Sequence, residues 1–310
     1  MTSLALALAL VAAASQAPPP PVFAVGVESV YVDVFVTEGG RPVVGLTASD
    51  FELRDNGVRQ PVEVVAVESF PLTTFLVLDT SGSVNGDKLE KLRAAGRALL
   101  GGLRTGDEAA LVTFDEEVRV RVPPTSDRGH LDRALEGIRP GGATALFDAL
   151  YAGTMLASGR GRSLLVVFSD GEDNLSWLEA PQVRRVLVES NVLVQAVGIV
   201  TEEERAGWPE TLRGREPPEA PHVQALRQLA EATGGRFWGA SAPGQLADAF
   251  LAILEAMKAR YVLRFEPSRA KREGLHELEV TLTRRKGKVH CRKAYFVGPG
   301  GGPGGGQVLN

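Results

Sequence analysis

The feature that most constrains the fold of this chain is a change of sequence pattern at about residue 73. From there, short and wholly apolar strands such as Phe75–Leu78 and Leu164–Phe168 alternate with helical stretches such as Asp87–Leu103 and Leu246–Lys258. A strand that is apolar on both sides is expected where layers cover both faces of a sheet. Strands alternating with helices are typical of a parallel sheet with crossover helices. The middle of the chain is therefore predicted to be an α/β domain with a doubly wound, mostly parallel sheet.

Both flanks of this α/β block carry the period-two alternation of β-strands instead. The predicted flanking strands are Phe23–Val36, Asp50–Arg54 and Val62–Val67 before it, and Tyr261–Phe265, His276–Thr283 and Val289–Phe296 after it. Gly39-Gly40 and Asp55-Asn56-Gly57 are predicted turns. Domain insertion is easy where the entry and exit points of the inserted unit lie close together. The α/β domain is therefore predicted to be inserted into a small β-sandwich formed by the N- and C-terminal segments.

These patterns divide the chain into five predicted parts. They are a signal peptide (1–17), the N-terminal half of the β domain (18–70), the α/β domain (71–259), the C-terminal half of the β domain (260–297) and a flexible glycine-proline tail (298–310).

The N-terminus indicates export. Leu4–Ala14 is an unbroken apolar run, and Ser15-Gln16-Ala17 after it fits a small-x-small cleavage site. The run is shorter than the roughly 20 apolar residues that a spanning helix needs. No Lys or Arg precedes it, so a buried or frayed N-terminal segment is the alternative. We expect an exported, periplasmic or secreted protein with no transmembrane segment in the mature chain.

Composition narrows the choice of partner and metal. A formal net charge of −4 over 310 residues gives no electrostatic reason to expect a nucleic-acid partner. The single cysteine, Cys291, excludes an intrachain disulfide and zinc sites built on cysteine.

Three separate loops carry polar side chains that are candidates for a functional site. Asp79, Ser81 and Ser83 lie just past a buried strand and just before a helix, and Asp170 lies just past another buried strand. Thr144 follows a Gly-Gly pair and opens a further helix. Ligands of open parallel sheets bind in the crevice outside the carboxyl ends of the strands. The five side chains are therefore predicted to converge on one rim.

The donors in this set are two carboxylates and three hydroxyls. Hard cations prefer such oxygen ligands, whereas zinc and copper favour imidazole or thiolate. Taken singly, each of the three loop motifs also fits a capped turn or a helix N-cap. Together they predict a Mg²⁺ site, with Mn²⁺ or Ca²⁺ as alternatives. A shell poor in carboxylates leaves the cation able to accept an Asp or Glu carboxylate from a protein partner.

At these residues the sequence resembles a known family. Leu72–Lys258 resembles a von Willebrand factor type A domain, and Asp-x-Ser-x-Ser with a distant Thr and a distant Asp matches its metal-ion-dependent adhesion site. The resemblance implies that Ser81, Ser83 and Thr144 coordinate directly, and that Asp79 and Asp170 act directly or through water. It also implies cell adhesion or another protein–protein interaction as the function.

The flanks resemble a narrower group, the bacterial "VWFA-related" proteins. The matching segments are Asp50–Gly57, with the pattern Asp-Phe-x-Leu-x-Asp-Asn-Gly, and Tyr261–Pro267, with Tyr-x-Leu-x-Phe-x-Pro.

Three function classes remain open at this point. The preferred one is an exported, metal-dependent binding module and not an enzyme, because the chain has neither a Gly-x-Ser-x-Gly elbow nor a phosphate-binding Gly-rich loop. A structural subunit whose metal is purely stabilising is the alternative, and a metal-dependent hydrolase is less favoured. Trp177, just beyond Asp170, is a candidate contact residue.

Overall fold

A computed structural model describes residues 29–66, 70–170, 173–199, 221–240, 242–268 and 273–297. The predicted signal peptide (1–17) and the predicted tail (298–310) lie outside these ranges. Within them, no helix is both long and apolar enough to cross a membrane.

The described residues form the following strands and α-helices, numbered along the chain. The strands are β1 (Val30–Glu38), β2 (Arg41–Pro42), β3 (Phe51–Asp55), β4 (Val58–Gln60), β5 (Glu63–Val65), β6 (Leu72–Asp79), β7 (Glu108–Phe114), β8 (Val118–Thr125), β9 (Arg162–Ser169), β10 (Leu193–Ile199), β11 (Phe237–Ala240), β12 (Tyr261–Phe265), β13 (Gly274–Leu282), β14 (Lys288–His290) and β15 (Ala294–Val297). The helices are α1 (Asp87–Gly102), α2 (Arg128–Glu136), α3 (Leu146–Ala157), α4 (Ala180–Glu189), α5 (Pro221–Ala232) and α6 (Leu246–Lys258).

The central sheet has six strands in the order β11-β10-β9-β6-β7-β8. All neighbouring pairs are parallel except β7 and β8, which are antiparallel. Helices α1, α2 and α6 share one apolar core with the sheet, and α3, α4 and α5 share another. The predicted doubly wound, mostly parallel sheet is confirmed.

Strand β6 shows why the central strands are apolar throughout. Leu76 and Leu78 belong to the core that contains α1 and α6, whereas Phe75 and Val77 belong to the core that contains α3. Successive side chains of a strand point to opposite faces, so a strand with a helical layer on each face has no solvent-facing side. β6 lies between β7 and β9, and its carboxyl end, Asp79, is therefore in the middle of the sheet edge.

The flanking segments form two antiparallel sheets that pack on each other. One sheet has the order β14-β1-β12-β5, with β2 paired to β1, and the other has the order β15-β13-β3-β4. Each sheet combines strands from both ends of the chain: Val32 is opposite Leu263, and Leu53 is opposite Val280. Their apolar faces share one core. The predicted insertion of the α/β domain into a β-sandwich is thus confirmed.

Two flanking elements differ from the prediction. The turn Asp55-Asn56-Gly57 joins β3 to β4 and not to the predicted strand Val62–Val67, of which β5 pairs with β12 in the other sheet. Val289–Phe296 is not a single strand, because β14 joins the first sheet and β15 joins the second. Between them, the guanidinium of Arg292 donates to the carbonyl of Val188 at 3.2 Å and contacts the carbonyl of Ser190, at the C-terminus of α4. A basic side chain that binds the free carbonyls of a helix end is stabilising. This contact fixes the segment that passes from one sheet to the other. The alternating pattern of the sequence does not predict the contact.

Candidate metal centre

The loop after β6 is shaped by its own short polar side chains. The backbone N–H of Ser81 donates to Asp79 Oδ1 at 2.9 Å, and the N–H of Val84 donates to the carbonyl of Ser81 at 3.0 Å. Asp commonly closes such a turn by accepting from the backbone two residues on. The turn brings the Ser81 and Ser83 hydroxyls to 3.1 Å from each other.

The end of β9 supplies the second carboxylate. Ser83 Oγ donates to Asp170 Oδ1 at 2.8 Å, and Ser169 Oγ donates to Asp79 Oδ2 at 2.7 Å. β6 and β9 are neighbouring parallel strands, so their carboxyl ends meet at one edge. The two predicted aspartates therefore share one network of hydroxyl donors.

The loop before α3 brings Thr144 to the same edge. Its backbone is tied to the first loop, because Gly141 N donates to the carbonyl of Thr80 at 2.9 Å and Gly82 N donates to the carbonyl of Gly142 at 3.1 Å. Gly142 has φ of 77°, in the left-handed region that favours glycine. The Gly-Gly pair noted in the sequence thus makes the turn that delivers Thr144.

All five predicted ligands lie on this rim: Asp79, Ser81, Ser83, Thr144 and Asp170. Asp79 is fully buried, and Ser81, Thr144 and Asp170 are 2%, 5% and 6% exposed. Ser83 is exposed to solvent. The site is therefore a rim of oxygen donors that is closed on the protein side and open on the outer side.

The donor chemistry fits a hard divalent cation. Burial raises the pKa of Asp79 from its usual 3.8 to about 6, although hydrogen bonds from Ser81 and Ser169 lower it. Within the part of the chain that the structure describes, no ion pair neutralises this carboxylate, and no cluster of three His, Cys, Asp or Glu side chains offers a site of another type. A buried carboxylate is costly unless a cation compensates it, and Mg²⁺ accepts few carboxylates together with neutral oxygens.

Two polar partners of the site were missed by sequence reasoning. Lys88, in the first turn of α1, places its ammonium Nζ 2.5 Å from Asp170 Oδ2. The other is Ser169, the donor to Asp79. Both lie within a few residues of a predicted ligand, which is the signal that could have drawn attention to them. The sequence does not show which way these two side chains point, because that depends on how α1 and β9 pack.

A tryptophan lies close to the rim on a well-anchored loop. The backbone N–H groups of Trp177 and Leu178 each donate to the carboxylate of Asp148, in the first turn of α3, at 3.0 Å. Asn174, in the same loop, is bonded to Thr144 in both directions: Thr144 N donates to Asn174 Oδ1 at 2.8 Å, and Asn174 N donates to the carbonyl of Thr144 at 3.0 Å. The indole of Trp177 nevertheless projects into solvent, with 94% of the residue's surface exposed.

Residues 74–172 match the family model of the von Willebrand factor type A domain. The chain therefore contains a von Willebrand factor type A domain. The matched stretch covers all five predicted ligands, so the rim described above belongs to this domain.

The domain has relatives of very different length. Inter-alpha-trypsin inhibitor heavy chain H2 of Mus musculus is 27% identical over 150 residues, which is 43% of this chain and 16% of that protein. An uncharacterized protein of Synechocystis sp. is 29% identical over 109 residues, covering 33% of this chain and 26% of that one. The similarity thus spans only a small part of either relative.

A solved structure extends the likeness beyond the matched stretch. The von Willebrand factor type A protein from Catenulispora acidiphila superposes with a TM-score of 0.51 at 14% identity, covering 83% of this chain and 75% of that one. At this identity the likeness concerns the fold alone.

Proposed function

We propose that this protein is an exported, metal-dependent binding module that captures a carboxylate of a protein partner. The observation that carries the proposal is the convergence of two carboxylates and three hydroxyls on a rim whose Ser83 faces solvent. Asp79, Ser81, Ser83, Thr144 and Asp170 would hold the cation, with Mg²⁺ preferred and Mn²⁺ or Ca²⁺ as alternatives. When bound, the cation supplies a positive centre with a coordination position for an oxygen of the partner.

The surroundings of the serines favour binding over hydrolysis. Ser81 and Ser83 are hydrogen-bonded to each other, and Ser83 donates to Asp170. A nucleophilic serine needs a neighbouring base, usually a histidine. Among the histidines whose side chains are described, His130 is exposed on α2, and His276 and His290 lie in the β-sandwich. We therefore propose a binding protein and not an enzyme.

The metal is tested by calorimetric titration of Mn²⁺ and Mg²⁺ into the unmodified chain and into Asp79→Ala. Loss of a buried carboxylate ligand is expected to lower the affinity at least roughly tenfold. Asp87→Ala is the matched control, because Asp87 is an acidic residue near the site whose side chain is 74% exposed. Equal affinity of Asp79→Ala and the unmodified chain would exclude the site.

A stabilising metal in a structural subunit is the alternative function. The two are separated by crosslinking and capture of partners from an envelope fraction, with and without a chelator. A binding module loses its captured partner when the metal is removed. With a purely structural metal, the chelator would lower the melting temperature and leave the captured partner unchanged.

A further inference from the structure

We propose that Lys88 sets the net charge of the metal centre, so that the bound cation keeps one positive charge for one carboxylate of the partner. The inference rests on the proposed function and adds to it the charge of the ligand that the site prefers.

The contact of Lys88 is part of the site and not an ordinary surface ion pair. Lys88 Nζ lies 2.5 Å from Asp170 Oδ2, and the Asp170 side chain is fully buried while that of Lys88 is 31% exposed. The other oxygen, Asp170 Oδ1, accepts from Ser83. Exposed ion pairs are weak because water screens them, whereas a buried carboxylate interacts strongly with its partner.

A divalent cation held at this rim would share the Asp170 carboxylate with the Lys88 ammonium. Asp79 and Asp170 carry two negative charges, and Lys88 adds one positive charge, so these three side chains together have a net charge of −1. A divalent cation then leaves the centre with one positive charge. A single carboxylate from a partner makes it neutral.

Other acids near the rim are held by groups outside the set Asp79, Asp170 and Lys88. Asp115 accepts two bonds from Arg119 Nη1, at 2.8 and 2.7 Å, and the same guanidinium pairs with Glu117 at 2.9 Å. Asp173 accepts from the backbone N–H of Phe147, at the N-terminus of α3, and from Ser176 Oγ. The carboxylate of Glu116 lies close to Gly142. None of these acids makes a described contact with Asp79 or Asp170.

Two opposite effects follow from the ammonium. It lowers the affinity for the cation, because like charges repel across the shared carboxylate. It raises the affinity of the loaded site for an anion, because the centre is not already neutral. An ion pair that only stabilised the fold would produce neither effect in a variant that stays folded.

The experiment compares Lys88→Met with the unmodified chain in two titrations. Mn²⁺ affinity is measured by calorimetry, and acetate is then titrated into the Mn²⁺-loaded protein at constant ionic strength while water-proton relaxation is followed. We expect Lys88→Met to bind Mn²⁺ roughly tenfold more tightly and acetate roughly fivefold more weakly, from the Coulomb energy of one neighbouring charge in partly screened surroundings.

Two control variants keep the result specific. Lys91→Met removes a lysine from the same helix, where it lies 4.0 Å from Asp87 on the surface, and Lys88→Arg keeps the charge. Both are expected to stay within about twofold of the unmodified chain. Lys88→Gln is the second neutral variant if thermal melts show that Lys88→Met is not folded.

The outcomes separate the inference from the proposed function. Unchanged or weaker Mn²⁺ binding by Lys88→Met, or unchanged acetate binding, overturns the role of Lys88 while the metal site stands. An unmodified chain that binds no Mn²⁺ overturns the metal site itself, and the inference with it.

Discussion

At the scale of single residues, Trp177 combines an exposed side chain with a fixed backbone. Its indole is exposed, while its N–H and that of Leu178 are bonded to Asp148. Such an aromatic loses little conformational freedom when it binds, and tryptophan is enriched among residues that dominate protein interfaces. Trp177 is therefore a candidate contact residue beside the candidate metal centre.

Trp177→Ala is expected to leave the free energy of unfolding within about 0.5 kcal/mol of the unmodified chain, because an exposed side chain has little packing to lose. Trp238→Ala is the matched control, since Trp238 is partly buried and its Nε1–H donates to Gln195 at 2.8 Å. That change should cost about 2 kcal/mol. Denaturant unfolding followed by circular dichroism measures both. A loss of stability in Trp177→Ala as large as in Trp238→Ala would mean that the indole packs on the domain.

At the scale of elements, a buried polar cluster links three strands of the second sheet of the sandwich. Asp55 of β3 bonds to His276 Nδ1 of β13 at 2.8 Å and accepts from the Tyr295 hydroxyl of β15 at 2.9 Å. Burial raises the pKa of Tyr295 well above its usual value, as does the adjacent Asp55 carboxylate. A tyrosine that stays protonated can act as a permanent donor to this carboxylate.

Asp55→Ala is expected to destabilise the protein by about 3 kcal/mol, because it leaves His276 and Tyr295 buried without their acceptor. Tyr295→Phe removes one hydroxyl only and should cost about 1 kcal/mol. Chemical denaturation of both variants at neutral pH tests this. Equal effects of the two changes would show that Asp55 is not the centre of the cluster.

At the scale of the whole molecule, ion pairs connect the β-sandwich to the α/β domain. Asp33 of β1 accepts from Arg162 Nη2 of β9 at 2.9 Å, and Arg260 Nε, between α6 and β12, lies 3.4 Å from it. The Arg162 and Arg260 side chains are 8% and 0% exposed. Burial alone would raise the pKa of Asp33, but attraction to these two arginines holds it below 3.8.

Asp33→Asn is expected to cost about 3 kcal/mol at neutral pH, because two buried arginines lose their counter-ion. Because the pKa of Asp33 is lower in the folded state, its charge contributes its full stabilisation above the unfolded-state pKa of 3.8. This contribution is lost as the pH falls through the folded-state pKa. The deficit of the variant should therefore be constant from pH 7 to about 5 and shrink below 3.8.

Denaturant unfolding over this pH range measures the deficit of Asp33→Asn. Glu189→Gln is the control, since Glu189 pairs with Arg185 at 3.1 Å on the surface and should contribute less than about 1 kcal/mol. A deficit that persists unchanged below the usual pKa of a carboxyl group would rule out the charge of Asp33 as its source.

The sequence by itself determined the order and type of most elements and the residues of the candidate site. These follow from local signals: apolar runs for strands covered on both faces, helical periodicity, glycine turns, and polar residues placed at strand ends. Parallel strands bring their carboxyl ends to one edge, so the convergence of Asp79, Thr144 and Asp170 could be predicted before any contact was known.

Only the tertiary structure decided the pairings between distant charged residues. Lys88 meets Asp170 across 82 positions of sequence, and Arg162 meets Asp33 across 129. The division of Val289–Phe296 between two sheets depends in the same way on the contact of Arg292 with the end of α4. Such contacts have no local pattern, because a long basic side chain reaches whichever acceptor the packing of distant elements brings near it.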